Sequence, residues 1–133
     1  MSRRRSVAVL GFEHRNPVPV ASRIGPFLFS GALTGRAPQS AGVPADLAAQ
    51  MANVFDHVGR LMHAADASTD DIVKMTFWLV DPRDREDLNR FWLTMFPDPA
   101  SRPARHVLRA DLDEGMLVHA DLVAVLTPHL PEG

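Results

Sequence analysis

The chain has 133 residues, 46% of them hydrophobic and 23% charged, which is typical of one globular domain. With 14 Lys and Arg against 16 Asp and Glu, the net charge is −2, so nothing in the charge indicates a nucleic-acid partner. Cysteine is absent, which excludes disulfides, a thiolate nucleophile and cysteine metal ligands. No apolar run is long enough for a membrane helix or a secretory signal peptide, so we expect a cytoplasmic protein without a membrane partner.

The first part of the chain contains three apolar runs rich in β-branched or aromatic side chains, which favour short strands. These runs are residues 6–12, 20–24 and 27–29. A polar loop with two prolines separates the first two, and Gly25-Pro26 predicts a tight turn before the third, which we expect to be buried. Ser30-Gly31 then either forms a simple strand exit or marks a close approach of backbone or ligand.

The clearest helix signal follows a long loop at residues 34–43, and loops of that length are either functional or mobile. Apolar side chains recur at spacings of three and four at Leu47, Met51, Val54, Phe55, Val58, Leu61 and Met62. This pattern predicts an amphipathic helix that has Pro44 in its first turn and runs to about Ala65. His57 and His63 fall off the apolar stripe and lie six residues apart, so we expect two exposed side chains rather than a metal pair.

A strand and a second amphipathic helix are predicted next. Residues 72–80 alternate as a strand, with Val73 on the face toward the helices and Trp78 on the other face. Asp81-Pro82 predicts the start of the second helix, because an N-cap residue is followed there by proline. The apolar stripe of this helix consists of Leu88, Phe91, Trp92 and Met95.

The last two strands carry the candidate site. A proline-bounded turn leads into a strand that opens with Arg105, and alternation along residues 116–126 places His119 and Asp121 on one face of the final strand. If these strands pair, or meet across a subunit boundary, a guanidinium that forks onto a carboxylate would face an imidazole that moves protons near neutral pH. Taken alone, Arg105 also fits a surface arginine paired with an acid, and His119 a strand histidine bonded to Asp121 or a carbonyl.

The element order is therefore β-β-β-α-β-α-β-β, which predicts one α+β domain over residues 1–133, with a mixed sheet and two helices on one face. Residues 1–5 and 127–133 are predicted to be flexible tails. The second face of the sheet is partly apolar, so we expect a homo-oligomer. No nucleotide-binding glycine motif, serine elbow or metal-ligand spacing is present, and we expect neither a metal nor a cofactor.

Most of the chain, from about residue 17 to 126, resembles the RidA/YjgF family, the reactive-intermediate deaminases. The resemblance rests on Ile24-Gly25 through Phe29-Ser30-Gly31, on residues 70–76, on Asp87-Leu88-Asn89 leading to Phe96, on Arg102-Pro103-Ala104-Arg105, and on residues 117–124. The Pro-Ala-Arg motif and the Asp-Ile-Val-Lys strand are its most specific parts. The resemblance implies a fold like that of trimeric bacterial chorismate mutase, with three clefts between subunits.

Members of this family that act as enzymes hydrolyse enamines or imines, such as 2-aminoacrylate and 2-iminobutanoate, to 2-keto acids and ammonia without a cofactor. The resemblance implies that Arg105 binds the substrate carboxylate. The other residues that it assigns to the cleft are Ser30, Gly31, Asn89 and Val18, the last where a tyrosine is frequent. His119 occupies the position of the glutamate that positions the attacking water.

Three functional hypotheses follow. The first is a deaminase of small enamine or imine carboxylates, with Arg105 and His119 in the catalytic roles. The alternative is a non-catalytic protein of the same family that binds or senses small acids, because the usual glutamate is His119. The third, ribonuclease activity, is the weakest because the charge is balanced and no basic stripe is present.

Overall fold

The computed structural model of the chain describes residues 3–127, which form one mixed sheet and two helices. The strands are β1 Arg5–Val7, β2 Ala21–Ile24, β3 Phe27–Ser30, β4 Leu33–Thr34, β5 Ile72–Leu79, β6 Ala104–Arg109 and β7 Val118–Val125. The helices are α1 Leu47–Ala64 and α2 Glu86–Met95, and a 3₁₀ turn, Thr69–Asp71, precedes β5. The predicted α+β fold is confirmed. Of the predicted tails, residues 1–2 and 128–133 lie outside the described residues, whereas Arg5 opens β1.

The strand order across the sheet is β1-β2-β3-β7-β5-β6, and β4 pairs with β7 beyond the end of β3. Every pairing is antiparallel except that of β5 with β6, which are parallel because α2 carries the chain back across the sheet. β6 therefore forms one edge. The strands β6 and β7 follow each other in the chain but are separated by β5.

Both helices pack on the same face of the sheet, and aromatic side chains join them to it. Phe55 of α1 stacks on Phe77 of β5 and on Phe91 of α2, with 5.8 Å between ring centroids in both pairs. The predicted alternation of β7 is confirmed, because Val118, Ala120, Leu122 and Ala124 are buried in this core. His119 and Asp121 consequently lie on the opposite face, which no helix covers within residues 3–127. Among those residues, no helix has both the length and the apolarity needed to cross a membrane.

Two expectations about strand side chains are wrong. Phe27 and Phe29 were expected to be buried but are 53% and 57% exposed, because they share the uncovered face with their partners on β7 and only Leu28 points toward the helices. Val73 was placed on the core face but is 48% exposed. An irregularity in the pairing of β5 between Ile72 and Lys74 turns Val73 outward.

Both helices start later than predicted. The N-cap of α1 is Asp46, whose carboxylate accepts a hydrogen bond from the Ala49 N–H at 2.6 Å, so Pro44 lies outside the helix. The carboxylate of Asp81 binds both the backbone and the guanidinium of Arg83 instead of capping a helix. This interaction closes a separate turn, and α2 begins only at Glu86.

The prediction that His57 is exposed is also wrong. Its ring stacks on Phe12 with 3.6 Å between centroids, and only 2% of the residue is exposed. The chain ahead of β2 folds back over this part of α1 and covers a polar position that the helical periodicity had assigned to solvent. His63, one and a half turns further along, is exposed as predicted.

Candidate functional site: two half-sites on opposite faces of the sheet

Arg105 lies on the helix-bearing face of the edge strand β6. Its parallel partner on β5 is Met75, which is fully buried under the helices, so the two side chains point to the same face. The guanidinium Nη1 donates to Asn89 Oδ1 at 2.9 Å, and the guanidinium carbon is 5.1 Å from the Trp92 ring centroid. Asn89 and Trp92 are three residues apart on α2 and therefore share one helix face. Asn89 thus bonds to one nitrogen of the guanidinium, and the ring of Trp92 packs against the group.

The charge of Arg105 is partly desolvated and is not neutralised. Burial lowers its pKa, and the nearby positive charge of Arg85 lowers it further, although an arginine stays protonated at neutral pH. Within residues 3–127, no acidic side chain forms an ion pair with Arg105. The described residues therefore do not support the alternative that Arg105 is a surface arginine paired with an acidic side chain. An amide oxygen and an indole ring orient the group while leaving donors for an anion.

His119 lies on the uncovered face, midway across the sheet. Its ring meets the Trp78 ring edge-on, with 5.1 Å between centroids and 70° between planes. Burial lowers the pKa of His119, while the carboxylates of Asp121 and Asp113 act in the opposite direction. The imidazole is consequently neutral at pH 7 and able to accept a proton. Burial also raises the pKa of Asp121, which His119 and Lys74 oppose.

Arg105 and His119 do not meet within one chain. Their strands do not pair, because β5 lies between β6 and β7. Their strands are two spacings apart, roughly 10 Å, and the residues are offset along the strands by three positions, roughly another 10 Å. The two side chains also project from opposite faces of the sheet. Of the two arrangements considered from the sequence, only contact across a subunit boundary remains. We refer to Arg105 with Asn89 and Trp92 at the sheet edge, and to His119 on the uncovered face, as the two candidate half-sites.

Ser30 and Gly31 lie where the pairing with β7 is interrupted between β3 and β4. The Ser30 hydroxyl donates to the Gly31 carbonyl at 2.8 Å and accepts the Leu122 N–H at 2.9 Å, replacing a ladder carbonyl that the interruption removes. The Gly31 N–H donates to the Val20 carbonyl at 2.8 Å. These polar groups therefore support the sheet. A role of the exposed Gly31 backbone in lining a cleft stays a prediction.

Val18 is exposed in the loop ahead of β2, where its N–H donates to the Asn16 carbonyl at 2.8 Å. Its predicted place in a cleft stays a prediction too.

Two tryptophans near the candidate site were not predicted from the sequence: Trp92 was only part of an apolar stripe, and Trp78 was not connected with His119. The position of Trp92 could have been inferred from its three-residue spacing from Asn89 on the same helix. Among residues 3–127, no group of three or more histidine and acidic side chains could hold a metal ion.

A family model described as Endoribonuclease L-PSP matches residues 18–126. A RutC family protein of Aquifex aeolicus is 27% identical over 115 residues, which cover 82% of this chain and 92% of the relative. The 2-iminobutanoate/2-iminopropanoate deaminase of Escherichia coli K12 is 32% identical over 90 residues, covering 66% of this chain and 70% of the relative.

Solved structures show the same fold at low sequence identity. A probable translation initiation inhibitor from Rhodopseudomonas palustris superposes with a TM-score of 0.85 at 22% identity, covering 92% of this chain and 98% of the other. The YjgF gene product of E. coli gives a TM-score of 0.79 at 24% identity, covering 91% and 98%. A Rid family protein of unknown function from Yersinia pestis gives 0.83 at 18%, covering 92% and 99%.

Proposed function

Since this chain belongs to the endoribonuclease L-PSP family, the RidA/YjgF family, we propose that it is a deaminase of small enamine or imine carboxylates. Substrates of the 2-aminoacrylate or 2-iminobutanoate type would yield a 2-keto acid and ammonia. The observation that carries this proposal is the environment of Arg105, whose guanidinium is held by Asn89 and Trp92 without an acidic partner among residues 3–127. Such a group fits a small carboxylate.

The proposal requires an oligomer, because a complete site needs the edge of one subunit to meet the uncovered face of the next, and the family resemblance implies that this oligomer is a homotrimer. That face carries the large exposed apolar side chains Ile24, Phe27, Phe29, Leu108 and Val125. A soluble protein rarely leaves so much apolar surface in one patch exposed to water. The unpaired edge of β6 also offers backbone groups that a neighbouring subunit would cover.

In the proposed reaction, the substrate carboxylate lies on Arg105 and the imine carbon faces His119 of an adjoining subunit. Water adds to that carbon while the neutral imidazole takes its proton and passes it to the imine nitrogen, giving a carbinolamine. The hydroxyl proton then moves to the amine nitrogen. The C–N bond breaks with its electron pair on nitrogen, so ammonia leaves and the keto acid remains. An enamine would first gain a proton on carbon and lose one from nitrogen to give the imine.

A second candidate, a small-acid binding protein without turnover, uses the same Arg105 half-site and does not need His119. The observation that favours it is that an imidazole edge-on to Trp78 replaces the carboxylate implied by the family resemblance. Both candidates predict binding of 2-keto acids. Only the first predicts that ammonia is released faster than in buffer.

To test for deaminase activity, 2-iminobutanoate is generated in situ with an amino-acid oxidase, and the release of ammonia and keto acid is followed at pH 6–9. We expect the chain to accelerate release, and we expect Arg105→Ala to remove most of the acceleration because a charge-assisted contact is lost. Arg109→Ala, on the same strand, is the matched control and should retain activity. Release at the rate of the buffer blank, together with keto-acid binding that Arg105→Ala abolishes, would leave only the second candidate.

A further inference from the structure

A separate cavity of about 220 Å³ lies beside α1, under the loop that follows β4. Its inner wall is formed by His57 and Thr34, and Asp113 and Glu114 line it as exposed residues of the β6–β7 connection. Neither Arg105 nor His119 lines this cavity. It is therefore distinct from both half-sites of the proposed deaminase.

Three buried polar atoms at this cavity have no well-aligned hydrogen-bond partner. They are Nδ1 and Nε2 of His57 and the hydroxyl oxygen of Thr34, and within residues 3–127 no other buried side-chain nitrogen or oxygen is left unbonded. Proteins satisfy nearly all such atoms, because an unsatisfied one costs about 1–3 kcal/mol. All of these atoms belong to two residues that line one cavity, so a molecule in this cavity would be placed to bond to all three.

The inner wall offers hydrogen bonds but no charge. Burial lowers the pKa of His57 to about 4, and the positive charge of Arg36 adds to this, with Thr34 and Asp56 opposing. The neutral ring has one N–H donor and one acceptor nitrogen, and the threonine hydroxyl serves as either. Neither His57 nor Thr34 carries a charge that would select an anion. A group that carries its own donors and acceptor, such as an amide, would match it.

The mouth of the cavity has the opposite character. Asp113 and Glu114 place two carboxylates there. Arg36, the positive side chain of the lining, already donates to the carbonyls of Ser40 and Glu13 at 3.1 and 3.0 Å. Arg36 contributes one positive charge against these two carboxylates, so the lining has a net negative charge that favours a cation. A volume of about 220 Å³ corresponds to roughly seven water molecules and is smaller than a site for a drug-sized ligand.

We propose that this cavity binds a small molecule with an uncharged amide at one end and an ammonium group at the other. The amide bonds to His57 and Thr34, and the ammonium group faces Asp113 and Glu114. An amino-acid amide is the simplest compound of this class. The site does not depend on the deaminase reaction, and its ligand does not compete for Arg105.

The test titrates the full chain with glycinamide, acetamide and methylammonium at equal ionic strength, following NMR shifts of the Thr34 and His57 amide signals. We expect glycinamide to bind in the millimolar range, acetamide about tenfold more weakly and methylammonium not measurably. Asp113→Asn should reduce the advantage of glycinamide over acetamide while leaving acetamide affinity unchanged.

His57→Phe keeps an aromatic ring on Phe12 but removes both nitrogens, and it should weaken glycinamide binding at least tenfold. His63→Phe makes the same change at an exposed position of α1 and should not alter binding. If His57→Phe does not fold, Thr34→Val provides the same measurement. The proposal is overturned if glycinamide causes no saturable shift up to 100 mM, which would mean that the cavity holds only water, or if the His57 and Thr34 variants bind as the wild type does.

Discussion

The buried, stacked His57 makes a quantitative prediction about acid stability. In the folded chain its pKa is about 4, lowered mainly by burial, against an ordinary value of 6.5. The unfolded chain therefore binds a proton at this ring between those two pH values and the folded chain does not, so stability falls as the pH falls through this window. A difference of about 2.5 pKa units corresponds to about 3 kcal/mol once the pH is below both values.

Urea unfolding at pH 7 and pH 4.5, at one protein concentration, measures this effect. Between these conditions the wild type should lose about 2 kcal/mol more unfolding free energy than His57→Phe, because the variant has no ring to protonate. Protonation of carboxylates affects both proteins and cancels in the comparison. His63→Phe should behave as the wild type does. Equal losses in the wild type and His57→Phe would refute the assignment of a neutral, buried ring.

Three further predictions concern the proposed site and its supports. Asn89→Ala should raise the dissociation constant of 2-ketobutanoate about tenfold by calorimetry, because the guanidinium loses the oxygen that orients it, whereas Thr94→Ala on the same helix should not. Phe29→Glu should convert a homotrimer to monomers in light scattering, while Leu10→Glu, at an exposed apolar position in the loop ahead of β2, should leave assembly unchanged; a trimeric Phe29→Glu would contradict the proposed interface. Ser30→Ala should destabilise the fold by about 1–3 kcal/mol in urea, because the Leu122 N–H loses its acceptor, and an unchanged midpoint would count against this role.

Local sequence patterns predicted the parts of the fold in which one face is buried. The two-residue period of β7 put His119 and Asp121 on one face, and the structure buries the other face, including Ala120 and Leu122, because a shift of one residue would expose this apolar set. The exposure of Phe27 and Phe29 could not be read in this way, since a run of three apolar residues does not indicate which face meets the helices. The prediction that His57 is exposed was wrong for a related reason. A segment distant in the chain covers this residue, and helical periodicity carries no information about that segment.

The candidate site was predicted residue by residue but not in its arrangement. Arg105, Asn89 and His119 were named from the sequence, and the contact between Arg105 and Asn89 agrees with their assignment to one site. The position of β5 between β6 and β7 could not be predicted, because the order of strands in a sheet is not their order in the chain. That order separates Arg105 from His119, and alternation within β6 and β7 points their side chains to opposite faces. The proposed chemistry therefore needs a second subunit.

The most direct test of the proposed site between subunits is a crystal structure of the assembled protein with 2-ketobutanoate, the product of the proposed reaction. We predict that the carboxylate forms two hydrogen bonds with Arg105 and that the carbonyl carbon lies within reach of His119 from an adjoining subunit. A keto acid bound away from Arg105, or an assembly in which Arg105 and His119 of different subunits remain apart, would contradict it.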